Sequence, residues 1–190
     1  ELDHFNGFNY ILETYEIGAF VINGRDHPGS KQWAELLKKI ATKKIPLVTL
    51  GAGDAIHYGP NRIDILSPNA QLLSSSELND AGIVQKVRTP DFSALLTADI
   101  GMNVEEYLRG KYGFALAANI LKVGHHGSKY SSGGAFLKAI RPAPSAVRPL
   151  IAVISVATRN TYGHPTPETL GRLSAVGAQI FRTDQRGTIT

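Results

Sequence analysis

The 190-residue chain contains no cysteine. Disulfides and thiolate zinc sites are therefore excluded, and any metal must be held by histidine, carboxylate and water, which suits Zn, Mn or similar ions. No apolar run approaches the roughly 18–20 residues that cross a bilayer. The N-terminus has no basic stretch followed by an apolar one, so no signal peptide is read. Internal repeats and low-complexity tracts are missing too. Aromatic residues are 8% of the chain, with no aromatic-rich stacking platform, which argues against sequence-specific nucleic-acid reading. The formal net charge of +4 is modest and fits simple solubility as well as it fits a polyanionic partner. With 43% hydrophobic and 19% charged residues, the composition is that of an ordinary globular protein, long enough for one domain over 1–190.

What is present is concentrated in one stretch, Leu121-Lys122-Val123-Gly124-His125-His126-Gly127-Ser128. It reads as a buried strand that stops abruptly and presents imidazoles at its carboxyl end. Two satellites point at it: Thr97-Ala98-Asp99 upstream and Tyr162-Gly163-His164-Pro165 downstream. Asp3-His4 stands at the start of the chain.

The spacing Phe8, Ile11, Leu12, Tyr15 predicts a helix that places Asp3 and His4 before or at its N-terminus. Residues 17–23 read as a buried strand. Ser30 caps a helix carrying Trp33, Leu36, Leu37 and Ile40, and 46–50 is a short strand. Residues 62–66, 83–87 and 92–97 read as strands, the last two joined by a hairpin turn, with 67–78 a loop. Asp99 is placed at the end of the third of these strands. A short helix over 103–108 and the strand 119–123 follow. Then come a helix around Phe136, Leu137 and Ile140, a proline-rich connector over 141–149 and an apolar strand over 150–156. Pro167 opens a helix that Gly177 ends, and strands over 179–183 and 188–190 close the chain. The middle strands form a meander and the later ones alternate with helices, a pattern of sheets with helices packed outside.

A carboxylate at the end of an apolar strand is unusual, because burying an unpaired charge is costly. Asp99 is read either as the N-cap of the next helix or as a metal ligand, and a carboxylate can bridge two cations about 3.5–4 Å apart. In extended backbone the His125 and His126 side chains diverge, so one of them faces a given metal while the other orients it, binds phosphate or packs. Gly127 would let the backbone approach a ligand closely. His164 is either a solvated loop histidine or part of a site. His27 and His57 read as isolated loop residues. Asp3-His4 could by itself be a capping pair.

Taken together, the motifs resemble the metallo-β-lactamase superfamily, and more narrowly the C-terminal soluble domain of the ComEC family of DNA-internalisation competence proteins. Asp3, His4 and Gly7 match the end of that family's first motif, whose leading histidine would fall before residue 1, with Glu1 where a second histidine or aspartate usually stands. Asn79-Asp80-Ala81-Gly82, Leu95-Leu96-Thr97-Ala98-Asp99-Ile100, Leu121 to Ser128, Tyr162 to Pro165 and Arg182-Thr183-Asp184 match later motifs in order. Two departures stand out: Ala98 replaces the usual glycine and Gly82 the usual serine.

The resemblance implies an α/β fold, an αββα metallo-β-lactamase-like sandwich whose N-terminal strands are missing from a chain cut from something longer. It implies metals at one sheet edge, with Asp3, His4, Asp99, His125 and His126 as ligands, Asp3, Asp99 and His164 as catalytic groups, and Ser128, Lys129, His164 and Asn79 on the substrate. Lys122, Lys129 and Arg159 could neutralise backbone phosphates. The implied activity is metal-dependent hydrolysis of a DNA phosphodiester without sequence preference. The domain would be soluble, on the extracytoplasmic side, attached to membrane channel domains of its parent chain. A non-catalytic DNA-guiding domain and a small-ester or lactam hydrolase are the alternatives. Two divalent ions, Zn or Mn, are implied. With the leading histidine absent, this piece is expected to bind at most one tightly and to be a poor nuclease, whereas an N-terminally extended chain binds two. Titrating Mn and Zn into both, with a nicking assay, checks this; two tight sites and full activity in the short chain would refute it.

Overall fold

A computed structural model describes residues 2–25, 27, 29–141 and 149–190, with the side chains of Leu2 and Asp3 outside the description. The chain divides into two compact units, Glu1–Leu50 and Gly51–Thr190.

In the first unit, α1 (Leu2–Phe5) and α2 (Phe8–Thr14) precede strand β1 (Phe20–Ile22), helix α3 (Lys31–Thr42) and strand β2 (Leu47–Thr49). β1 and β2 pair in parallel. As expected, Ser30 caps α3, its hydroxyl accepting from the Trp33 N–H at 3.3 Å. Leu36 and Ile40 of α3 bury with Leu12 and Phe20 to form a small core of their own. The helix expected from Phe8 onward is α2, and Asp3 and His4 precede it as expected, themselves inside the single turn α1.

The second unit is built on one sheet. Strands β3 (Ala55–Tyr58), β4 (Asn61–Ser67), β5 (Val84–Arg88), β6 (Ser93–Leu96), β7 (Ile120–Lys122), β8 (Ile151–Ile154) and β9 (Gln179–Arg182) follow one another in spatial order. β3 to β6 form the expected antiparallel meander. β6 to β9 are all parallel. Parallel neighbours need crossovers, and helices supply them: α5 (Met102–Tyr112), α6 (Gly134–Ile140) and α7 (Pro167–Ala175). α6 packs against both α5 and α7, so the three share one face of the sheet. The residues facing them, Leu95, Leu121, Ala152 and Ile154, are buried with Val104, Leu108 and Leu137 in a single core. The alternate residues Ile120, Ile151 and Val153 are half-buried on the opposite face. The unit is thus mixed α/β. Among the described residues no helix is long and apolar enough to cross a membrane.

Three expectations fail. The stretch 188–190 is not a strand; β9 leads instead into the helical turn α8 (Thr183–Arg186), ended by Gly187 at φ +66°. The loop over 67–78 contains α4 (Ala70–Leu73), capped by the Asn69 side chain, which accepts from Leu72 N–H at 2.9 Å. His57 is not in a loop: it stands on β3, an edge strand whose exposed side chains give no apolar alternation to read. Residues 142–148 of the proline-rich connector lie outside the described residues.

Candidate functional site

Leu96, Lys122, Val153 and Phe181 stand in register across the four parallel strands. Asp99, His125, His126, Ser128, Lys129, Arg159 and His164 all follow one of these strand ends. Asp99 comes three residues past Leu96, His126 four past Lys122, and His164 sits in the loop after β8. The carboxyl ends of parallel strands are where α/β proteins place ligands.

The backbone turns sharply at these points. Asp99 does not end its strand; Thr97 and Ala98 intervene, with Ala98 at φ +46°. His125 and His126 are not extended either. They take φ +47° and +53°, so the alternation expected of a strand does not apply. Left-handed backbone costs a non-glycine residue about 1–2 kcal/mol, and three such residues meet here. They are tied together, for the His125 N–H donates to the Ala98 carbonyl at 3.1 Å. Observed strain of this kind clusters at functional sites.

The turn aims His126 at Asp99. Its Nδ1 lies 2.7 Å from the Ser155 carbonyl, which can only accept, so Nδ1 carries the proton. In the neutral ring Nε2 then presents its lone pair 3.4 Å from Asp99 Oδ2. A lone pair and a carboxylate oxygen facing each other call for a cation between them. A protonated Nε2 would donate to Asp99, which raises the His126 pKa against the opposing effect of burial, so a proton is one candidate. A metal is the other: two ligands each about 2.1 Å from a tetrahedral ion stand about 3.4 Å apart. A backbone carbonyl orienting the other ring nitrogen is also how metal-bound histidines are held. Asp99 is 4% exposed, its burial setting it apart from surface carboxylates.

His125 points elsewhere, its ring edge-on to His164 with centroids 5.9 Å apart. Burial, followed by His125 and His126, lowers the His164 pKa, and its Nδ1 is buried with no hydrogen-bond partner among the described residues. Both observations favour the neutral imidazole at His164. Its backbone is gripped by Asn160, whose Oδ1 accepts from His164 N–H and whose Nδ2 donates to His164 O, both at 2.9 Å. Asp3 and His4 belong to the first unit, and Glu1 lies outside the described residues.

The remaining expected contacts fall at different depths. Ser128 is 3% exposed; its hydroxyl accepts from Tyr130 N–H and its carbonyl accepts from Thr169 Oγ1 at 2.7 Å. Lys129 is exposed, its ammonium 5.2 Å from the Tyr130 ring centroid. Asn79 lies half-buried in a 3₁₀ turn, where its neighbour Asp80 accepts from Ser75 and Asn103 at 2.7 and 2.8 Å. Arg182 grips Asp184, and Thr183 Oγ1 both donates to Val156 O and accepts from Val156 N–H, so Arg182-Thr183-Asp184 staples β8 to β9. Gly127, at φ +86°, admits Pro165, not a ligand: a Cβ there would lie 2.5 Å from the Pro165 Cβ.

Sequence reasoning missed Glu105 and Arg172. Glu105, 2% exposed on α5, accepts from Ser132 N–H and from Gly133 N–H at 2.8 Å. Arg172 on α7 donates to the carbonyls of Lys129, Ser131 and Ser132. Together they brace the loop after the double histidine. An acid beside Val104 and three residues before Leu108, on the apolar side of α5, was the available signal.

Comparison with known proteins gives three relatives. The chain is 27% identical over 187 residues to ComE operon protein 3 of Bacillus subtilis (98% of this chain, 23% of that protein). It is 38% identical over 111 residues to competence protein ComA of Neisseria gonorrhoeae (58% of this chain, 15% of that protein). It is 27% identical over 187 residues to recombination protein 2 of Haemophilus influenzae (98% of this chain, 20% of that protein). The chain thus spans less than a quarter of each relative's length. No family profile matches it.

The departures at 82 and 98 touch each other. A Cβ on Gly82 would lie 3.1 Å from the Ala98 Cβ and 3.1 Å from Ile100 Cγ2. Gly82→Ser should therefore destabilise the protein, and part of that cost, at least about 0.5 kcal/mol, should vanish in an Ala98→Gly background. Urea midpoints of the four proteins measure the coupling; additive effects would refute the contact. A second expectation concerns pH. Burial pushes Glu105 from an ordinary 4.5 up to about 7, against the two backbone N–H groups and Arg172. A raised folded-state pKa means the native state holds the proton longer, so this contribution is full below pH 4.5 and fades as pH rises to 7. The loss is on the order of 3 kcal/mol. Glu105→Gln should flatten the wild-type decline in urea midpoint across that window; an unchanged slope would show that Glu105 does not titrate there.

Proposed function

We propose that this chain is a metal-dependent hydrolase domain acting on DNA phosphodiesters in a competence DNA-uptake protein, and that its second unit is one half of a metallo-β-lactamase-like sandwich. The reading rests on His126 Nε2, fixed by Ser155 and facing Asp99 at 3.4 Å across a strained turn. The three relatives, among them a competence protein and a recombination protein, support the DNA context. The half-buried sheet face carrying Ile120, Ile151 and Val153 fits a second covering sheet. Attachment to membrane channel domains, on the extracytoplasmic side, belongs to the same proposal.

In this reading Asp99 and His126 hold a divalent ion, Zn or Mn, and the motif resemblance assigns Asp3 and His4 to the same ligand set and a second ion to the same edge. Bound metal supplies hydroxide at neutral pH by lowering the pKa of water to about 7. The chain's own residues do the rest. Ser155 holds the His126 tautomer that leaves Nε2 free of a proton. His164, neutral because burial disfavours its charge, offers a ring N–H to a phosphoryl oxygen or to the leaving oxygen and does not arrive as a preformed imidazolium acid. Lys129 and Arg159, both exposed, neutralise neighbouring phosphates.

Asp99→Asn tests this. The amide keeps the shape but ligates cations poorly. Wild type should cleave plasmid and single-stranded DNA with Mn or Zn, and the variant should lose at least about a hundredfold, since even groups behind the ligands are worth 10–100-fold. Its melting temperature should stay within about 3 °C. Equal cleavage by the variant would refute the role of Asp99, and DNA binding without cleavage by wild type would mark a guiding domain instead.

A further inference from the structure

Tyr162 has no role in the chemistry above, yet it is 79% exposed in the motif loop that carries His164. Its ring lies nearly parallel to the His164 imidazole, at 22° with centroids 5.8 Å apart. One face of the ring is turned toward His164, and the ring is largely open to solvent. Among the described residues its hydroxyl makes no hydrogen bond. The loop is held firmly in that pose. Asn160 closes it with bonds to both His164 N–H and His164 O and a third to Ala157 O at 3.2 Å. Gly163 makes the turn at φ +68°, Pro165 is buried against Gly127, and Thr166 N–H donates to Gly127 O at 2.9 Å. A large planar apolar group is thus preorganised in water beside the histidines, on a loop that also presents the exposed cation Arg159.

We propose that Tyr162 is a base-stacking wall: its open face receives an unpaired nucleobase of single-stranded nucleic acid while the adjoining phosphate reaches His164. The inference rests on the nucleic-acid reading of the site. Every base has a π-face, so such a wall is sequence-tolerant. It selects instead for strand state, because the bases of an intact duplex already stack on each other and must be unstacked at a cost before they can be offered. One ring does not read sequence, which agrees with the absence of an aromatic-rich platform in the chain.

The test is binding, not cleavage. Fluorescein-labelled 12-mer single strands and the matching duplex are titrated with protein in low-salt buffer containing EDTA, and anisotropy is read for wild type, Tyr162→Phe and Tyr162→Ala. Tyr162→Ala should weaken single-strand binding by roughly tenfold. Tyr162→Phe should stay within about twofold of wild type, and duplex binding should not change with either. A 2-aminopurine in the strand should be quenched by wild type and Tyr162→Phe but not by Tyr162→Ala. Three results would overturn the proposal: no single-strand binding by wild type, unchanged binding by Tyr162→Ala, or a loss with Tyr162→Phe equal to that with Tyr162→Ala, which would mean a hydroxyl contact. None depends on hydrolysis, so a protein that stacks bases but never cuts them would retain the wall while losing the hydrolase reading.

Discussion

The hydrogen bond from His126 Nδ1 to the Ser155 carbonyl, 2.7 Å long, sets the character of the site. It places the proton on one ring nitrogen and leaves the other to face Asp99. Without it the ring could turn or change tautomer, and the 3.4 Å approach of Nε2 to the carboxylate would carry no demand for a cation. The bond in turn needs three adjacent parallel strands. Asp99 follows β6, His126 follows β7, and Ser155 is the first residue past β8. Parallel pairing, enforced by helices α5, α6 and α7 on one face, is what brings these three strand ends together.

That arrangement holds residues in backbone conformations they do not prefer. Ala98, His125 and His126 all have positive φ, as does Ser132 at +55° further along the loop. The surroundings must hold them there. Side chains do so from two sides: buried Glu105 takes the N–H groups of Ser132 and Gly133, while half-buried Arg172 takes three carbonyls of the same loop. Thr97 Oγ1 adds a bond to Lys122 O at 2.8 Å, locking β6 to β7 just before both turns. Glu105 and Arg172 thus act on the histidines only through backbone, and a carboxylate buried to 2% exposure is part of the cost.

The legible parts of the sequence were those with short-range signals. Apolar spacing gave the helices around Leu36 and Leu137, and β-rich runs gave the meander and the strands that lead toward Asp99 and the double histidine. The proline at 167 and the serine at 30 marked helix starts correctly. Three kinds of information were not local. The turn at His125 and His126 is followed by Gly127, which packs against Pro165, 38 residues away in the chain. The grips of Asn160, Glu105 and Arg172 run from side chain to backbone and leave no periodic trace. β3 is an edge strand with little to bury, so its sequence did not alternate. Adjacent histidines signalled chemistry, but which one faces Asp99 needed the tautomer that Ser155 selects.

The central claim is that Asp99 and His126 form one edge of a cation site. Anomalous-difference density from crystals grown with Mn or Zn measures it directly. A peak about 2.1 Å from both Asp99 Oδ2 and His126 Nε2 is the predicted result. Fully occupied metal elsewhere, with a proton alone between Asp99 and His126, would contradict it.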